Sequence, residues 1–230
     1  AYPTMHNKLT DSGYRMLNAE NFTLFANVGS INPSYQPGHA HADELNFELF
    51  YKGVPLIVDT GVSTYEKNDK RLLERSTHSH NCVVSGGNSS DVWSGFRVGS
   101  RARVKISLDE DQKLTAEHDG FGSLTSRTFD ITVSGQITLT DKLVYQSPSN
   151  DNYRKGYLHL HPEVHLEQID ETTFLINNQI ELTFHGDKYN SSVIELDNYS
   201  YAKGYNTLLE AKVISYSVFE QTIIQICEAS

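Results

Sequence analysis

The chain has 230 residues and a mass of 25.9 kDa, long enough to bury roughly 70% of its extended surface without a disulfide or a metal to hold it together. Hydrophobic residues make up 38% and charged residues 21%, the balance of a folded chain, and the net charge of −10 excludes a non-specific nucleic-acid binder, which needs a basic face. No apolar run approaches the ~20 residues of a membrane helix, and no leader of basic, apolar and then small residues is visible; opening at Ala1 without a methionine, the sequence reads as a trimmed or recombinant fragment.

In chain order, the stretch from Met5 to Leu17 lacks a clear period, and residues 1–20 are expected to be an entry segment from a preceding domain, with one sandwich domain over 21–230. Leu45, Phe47, Leu49 and Tyr51 alternate with Asn46 and Glu48, the period of a half-buried strand. Residues 55–59 are a short apolar run closed by Asp59. Residues 68–75 are expected to form one or two helical turns. Residues 81–85, 101–108 and 128–133 read as strands, and 135–145 follow a Ser-Gly turn. Residues 147–152 are polar and read as a long hairpin loop. Residues 174–176 and 180–184 form a tight hairpin in which Asn177 and Asn178 tolerate positive φ. Residues 207–211 suggest another helical turn, and 211–219 and 221–228 suggest closing strands. Strands with turn signals every 8–12 residues predict an all-β, antiparallel sandwich. Cys82 and Cys227 have neither metal nor redox spacing and are expected to be buried free thiols.

The densest chemical signal is Gly38-His39-Ala40-His41-Ala42-Asp43-Glu44. Entering a strand, His39, His41 and Asp43 would share one face and make half a metal site; the plain alternative is a pair of solvated loop histidines. Asp59 ends an apolar strand, where sites gather, or simply caps a turn. His80, in Ser76-Thr77-His78-Ser79-His80-Asn81-Cys82, stands at the entry to an apolar strand, where a buried imidazole needs a carboxylate or a metal. His78 competes with it from two residues before. His41, Asp59 and His80 together would offer two nitrogens and one oxygen, a set suited to Zn²⁺ with an open fourth position. Metallo-β-lactamase, cupin and amidohydrolase motifs fit poorly: Glu44 replaces a histidine in the first, the carboxylate spacing misses the second, and the helices of the third are lacking. His159 and His161 repeat the His-x-His spacing without an obvious carboxylate and are expected in the core or at its rim. His6, His118, His165 and His185 look incidental, and most of the aromatics belong to the core, with some left to stack on sugar rings.

The series Gly38 to Asp43, the strand 45–51, Gly53-Val54-Pro55-Leu56-Ile57-Val58-Asp59-Thr60-Gly61, Tyr65, Arg75-Ser76-Thr77 and His80-Asn81-Cys82-Val83-Val84 resembles, in this order, the C-terminal β-sandwich domain of heparinase II/III-like polysaccharide lyases. Asp11-Ser12-Gly13-Tyr14-Arg15-Met16-Leu17 resembles the entry to that domain, residues 93–104 its next strand pair, and Leu158-His159-Leu160-His161-Pro162 a later strand. The match is specific over 11–104 and loose beyond. The resemblance implies an (α/α) toroid domain ahead of the sandwich, absent from this chain, which supplies the principal catalytic tyrosine. It implies cleavage of uronic-acid-containing glycans by β-elimination and a periplasmic or extracellular bacterial location. It also implies a zinc ion, structural in role, held by His41, Asp59 and His80, with His39 facing the substrate carboxylate and Tyr65 near the place of a cleft tyrosine. Arg75 would meet a substrate carboxylate bidentately or form a surface salt bridge. The isolated fragment is then expected to fold but to be catalytically incomplete. The acidic charge favours a carboxylate-only polymer such as alginate or a capsular uronan over a heavily sulfated one, since recognition depends on the local field. Two other readings stay open: a non-catalytic carbohydrate-binding or surface-polysaccharide assembly module, and a metal-dependent hydrolase.

Overall fold

The structure is a computed structural model and describes residues 8–31, 35–144, 154–187 and 192–229. Alternation builds its first sheet. In Phe22–Asn27 the side chains of Phe22, Leu24 and Ala26 are buried, and in Phe47–Tyr51 those of Phe47, Leu49 and Tyr51 are buried. With Lys8–Leu9, Tyr14–Asn18 and Val54–Ile57 they form a five-stranded sheet in chain order. A second sheet has eight strands, ordered Leu166–Gln168, Thr173–Ile176, Ile180–His185, Gln221–Glu228, Ile137–Leu143, Thr125–Ile131, Lys113–His118 and Val104–Asp109. A third has four, ordered Ile194–Gly204, Thr207–Ser217, Lys155–His159 and Val83–Val84; Val92–Trp93 and Arg97–Val98 form a small ribbon.

The five- and four-stranded sheets continue into one another. Ile57 bridges to Leu160, Val58 N donates to His159 O at 2.9 Å, and His161 N donates to Leu56 O at 2.9 Å. Together they cover the eight-stranded sheet, with Phe47 against Phe129 (ring centroids 5.7 Å apart) and Tyr216 against Phe184 (5.3 Å). The result is the expected antiparallel sandwich. Among the described residues, no helix is long and apolar enough to cross a membrane.

The expected hairpin is present, with Asn177 at φ 53° and Asn178 at φ 55°. The expected helix is Asp69–Glu74, begun by Asn68, whose side chain accepts from Arg71 N at 2.9 Å. The helical turn expected at 207–211 is instead part of Thr207–Ser217, which pairs along its length with Ile194–Gly204; cross-strand pairing overrides a local preference. Residues 14–18 are a strand, paired with Phe22–Asn27; their alternation is hidden in the sequence because one inward position is taken by Arg15, buried with its Nε 3.0 Å from Asp109 Oδ2. Both cysteines are free, Cys82 buried and Cys227 only half-buried. The loop expected at 147–152, and His6, lie outside the described residues.

Two histidines far from the surface predict how the fold responds to acid. Burial pushes His118 down to about 4 and His159 down to about 3. Both are neutral when folded, while an unfolded histidine takes up its proton near 6.5. Their contribution is complete above pH 6.5 and is lost as pH falls, because the unfolded chain then binds more protons. Urea unfolding followed from pH 7.5 to pH 5 should show a loss to which these two contribute about 3–4 kcal/mol; a pH dependence in His118→Gln and His159→Gln variants as steep as in wild type would mean that neither contributes.

Candidate functional site

The first histidine segment does not enter a strand. Pro37–His39 form a single 3₁₀ turn, and residues 40–46 run as a loop into Phe47–Tyr51. The shared strand face expected for His39, His41 and Asp43 is therefore not how they come together. Two arginines fix the loop instead. Arg75 Nε donates to Ala40 O at 2.8 Å, Arg71 Nη2 donates to Gly38 O at 3.3 Å, and Ala42 N donates to Arg75 O at 3.0 Å. Both guanidinium groups are fully buried. Arg75 also reaches Arg97 O at 3.3 Å. Among the described residues it has no salt-bridge partner, and it does not line the cleft; its donors hold the loop that carries His39 and His41.

The loop sets His41 beside His80, with ring centroids 5.2 Å apart. His80 Nδ1 lies 2.7 Å from Asp59 Oδ2, which also accepts from Asn46 Nδ2 at 2.7 Å, while Asp59 Oδ1 accepts from Gly61 N at 2.9 Å. His80, not His78, is the partner of Asp59; His78 is exposed, with its ring 5.6 Å from that of Tyr157. The three residues singled out as metal ligands thus converge from three separate segments. Burial alone would raise the Asp59 carboxyl, but the charge and hydrogen bond of His80 outweigh it and hold Asp59 well below the usual carboxylate range. Burial would lower His80, and Asp59 reverses that, raising it. Burial, then the charge of His80, push His41 down to about 3, so its imidazole is neutral.

The donors suit zinc in kind: a neutral imidazole, an ionised carboxylate, and a His80 whose Nε2 is buried with no hydrogen-bond partner among the described residues. Their spacing is that of a hydrogen bond. Among the described residues no group of three or more His, Cys, Asp or Glu side chains stands close enough to hold a metal.

Above this cluster opens a cleft of about 890 Å³, lined among others by Tyr14, Phe25, His39, His41, Asp43 and Asp59. His39 is exposed, and its ring stands edge-on to Tyr65 at 5.5 Å. Tyr65 is exposed as well, with the Arg71 guanidinium 5.1 Å from its ring centroid. The two residues expected to face substrate are thus in contact. His159 is a core residue, its Nδ1 3.2 Å from Asn81 Oδ1, and His161 packs against Tyr201 at 5.5 Å.

Several site residues escaped the sequence reading. Asn81 donates to Phe47 O at 2.8 Å and Val58 O at 3.0 Å, and its N–H donates to Asn46 Oδ1 at 2.9 Å, tying the strands that carry His80 and Asp59. Glu44 is buried and accepts from Ser89 and Ser90. Asp43, which the sequence does single out, is pushed up to about 6 by burial. The signal for Asn46 and Asn81 was available: an amide at a strand entry, where a backbone group needs a partner.

A family model described as "Heparinase II/III-like, C-terminal" matches residues 2–225. The chain belongs to this family. Solved structures agree on the fold of this heparinase II/III-like domain. A crystal structure of heparinase III superposes with a TM-score of 0.76 at 16% identity, covering 95% of this chain and 36% of that one. A heparinase III gene product with methylated lysines gives 0.76 at 14%, covering 95% and 34%. The heparan sulfate lyase HepC from Pedobacter heparinus gives 0.72 at 13%, covering 95% and 36%. The heparinase II/III-like chain therefore spans about a third of the length of these structures. No curated protein matches it significantly.

Proposed function

We propose that the chain is the β-sandwich part of a polysaccharide lyase that cleaves uronic-acid-containing glycans by β-elimination, with a preceding helical toroid domain completing the enzyme outside the cytoplasm. The observation that carries this reading is the exposed His39, which packs against Tyr65 and lines a cleft that is also lined by His41 and by Asp59, the partner of the buried His80. In the elimination a base removes the C5 proton. The electron pair of that bond forms the C4=C5 double bond, and the C4–O bond breaks with its pair going to the leaving oxygen, which takes a proton. Negative charge grows on the uronate carboxylate, and a preorganised donor there stabilises it. In this proposal His39 would be that donor, and the Tyr65 hydroxyl would hold or pass a proton beside it. Arg71 and Arg75 keep the His39 loop in place from behind.

Zinc belongs to the same proposal: His41, Asp59 and His80 would hold it, and its charge would supply a fixed positive centre under the cleft, structural rather than reactive. Metal analysis of the purified chain should find about one zinc per chain, lost in both His41→Ala and Asp59→Ala; a well-folded, zinc-free protein purified without chelator would overturn this part. The reaction itself is tested on the full-length protein with a panel of uronans. Products that gain the ultraviolet absorbance of an unsaturated uronate support the lyase. Saturated products would point to a hydrolase, and glycan binding without cleavage to a non-catalytic module.

A further inference from the structure

The outer face of the five-stranded sheet carries aromatic side chains that neither the core nor the elimination uses. Tyr14 is 48% exposed and Phe25, on the adjacent strand, 39% exposed. The register sets Tyr14 opposite Asn27 and Met16 opposite Phe25. Alternate residues share a face, so Tyr14, Met16 and Phe25 project from the same side, while Arg15, Leu17, Leu24 and Ala26 turn inward. Phe25 is braced edge-on by Phe50 at 5.8 Å. Both Tyr14 and Phe25 line the cleft that holds His39 and His41.

The position of Tyr14 is tightly built. Gly13 has φ +79°, and a Cβ there would come within 2.2 Å of Gly29 Cα, so only glycine lets the two backbones touch. Val28 N donates to Gly13 O at 2.9 Å, and the next residue, Arg15, is anchored on Asp109. The backbone on either side of Tyr14 is therefore held. Burial, then the charges of Asp43, Asp59 and Glu48, raise the Tyr14 phenol above its ordinary value, so it remains a hydroxyl donor.

We propose that Tyr14 and Phe25 form a sugar-stacking subsite that takes a pyranose ring of the glycan chain beside His39 and His41. This rests on the polysaccharide reading above and assigns a binding surface that the elimination chemistry does not require. A pyranose presents an apolar C–H face to aromatic rings and hydroxyls around its edge. The cleft offers both complements: two aromatic side chains on its floor, and the carboxylates of Asp11, Asp43 and Glu48 as hydroxyl acceptors. Its volume lies within the range of small-ligand sites. Among the described residues lining it there is no Lys or Arg, so this subsite meets a sugar ring through its C–H face and hydroxyls and leaves the uronate carboxylate to His39.

The test is binding of alginate and heparosan hexasaccharides to the 230-residue chain, read by calorimetry and by NMR shifts of the sugar ring protons. Wild type should bind one of them and move those protons upfield, the mark of a ring lying over an aromatic face. Tyr14→Ala and Phe25→Ala should each weaken binding about tenfold, with unchanged circular dichroism, and Tyr14→Phe should keep the upfield shift. Should Phe25→Ala lower the melting temperature, Tyr14→Ala decides alone. Wild-type affinity and shifts in both alanine variants would overturn the subsite and leave the polysaccharide reading standing. Failure of the wild-type chain to bind either hexasaccharide would overturn the subsite as well, while the polysaccharide reading is decided by the unsaturated-product assay on the full-length protein.

Discussion

Arg127→Ala is expected to destabilise the domain by about 3–5 kcal/mol, the range for stripping one partner from a buried ion pair. The Arg127 guanidinium lies between the two layers. Its Nε is 2.7 Å from Asp141 Oδ1, and its Nη2 is 2.9 Å from Asp141 Oδ2 and 3.1 Å from Tyr216 Oη. Nη1 donates to Leu45 O at 2.9 Å and to Asn81 O, and the guanidinium carbon sits 5.3 Å from the centroid of the Phe47 ring. Asp141 is fully buried, so truncating Arg127 leaves a carboxylate without its counter-charge. Among the described residues only the Tyr216 hydroxyl, 2.6 Å away, would still donate a side-chain hydrogen bond to it. Against a total stability of about 5–15 kcal/mol this is a large share. The double variant Arg127→Met, Asp141→Leu should recover much of the loss, because it removes both charges together. Urea unfolding of the three proteins checks this; a single-variant loss under about 1 kcal/mol would show that the pair contributes little. Leu45 and Asn81 flank Asn46 and His80 in sequence, so the same network also steadies the floor of the cleft.

His39→Ala in the full-length protein is expected to lower kcat on a uronan about 10²- to 10⁴-fold, the range for losing a positioned acid–base group. Its stability should stay within about 0.5 kcal/mol of wild type, because His39 is exposed and Arg71 and Arg75 hold the loop through the carbonyls of Gly38 and Ala40, not through the imidazole. That separation makes the variant informative: activity should fall while the unfolding curve does not move. An unchanged kcat with a raised KM would assign His39 to ground-state binding alone, and an unchanged rate would remove it from the reaction. Tyr65→Phe, which keeps the ring packed between His39 and Arg71, reports the hydroxyl separately.

Much of the sandwich was legible along the chain because a half-buried strand writes its burial as alternation. Phe47–Tyr51 is legible in this way, and the hairpin through the positive φ that Asn177 and Asn178 tolerate at its turn. Strands that break the alternation were missed. Tyr14–Asn18 places a buried arginine on its inner face, and its counter-charge, Asp109, comes from another sheet. Ile194–Gly204 is mostly solvated and has no apolar face to reveal it. Residues 207–211 suggest a helical turn on their own, because the strand that pairs with them lies outside that stretch of sequence.

The site divides along the same line. The sequence by itself determined the fold class, the family and the ordered motif that brings His39, His41, Asp59 and His80 to notice, since residue types and spacings are local properties. Only the tertiary structure decided that Asp59 meets His80 rather than His78, that Arg75 is spent on backbone carbonyls rather than facing the cleft, and that Tyr14 stands on the cleft floor. Each of these depends on which distant segment fills the space beside a side chain. That is set by sheet register and layer packing, which no single stretch of sequence records.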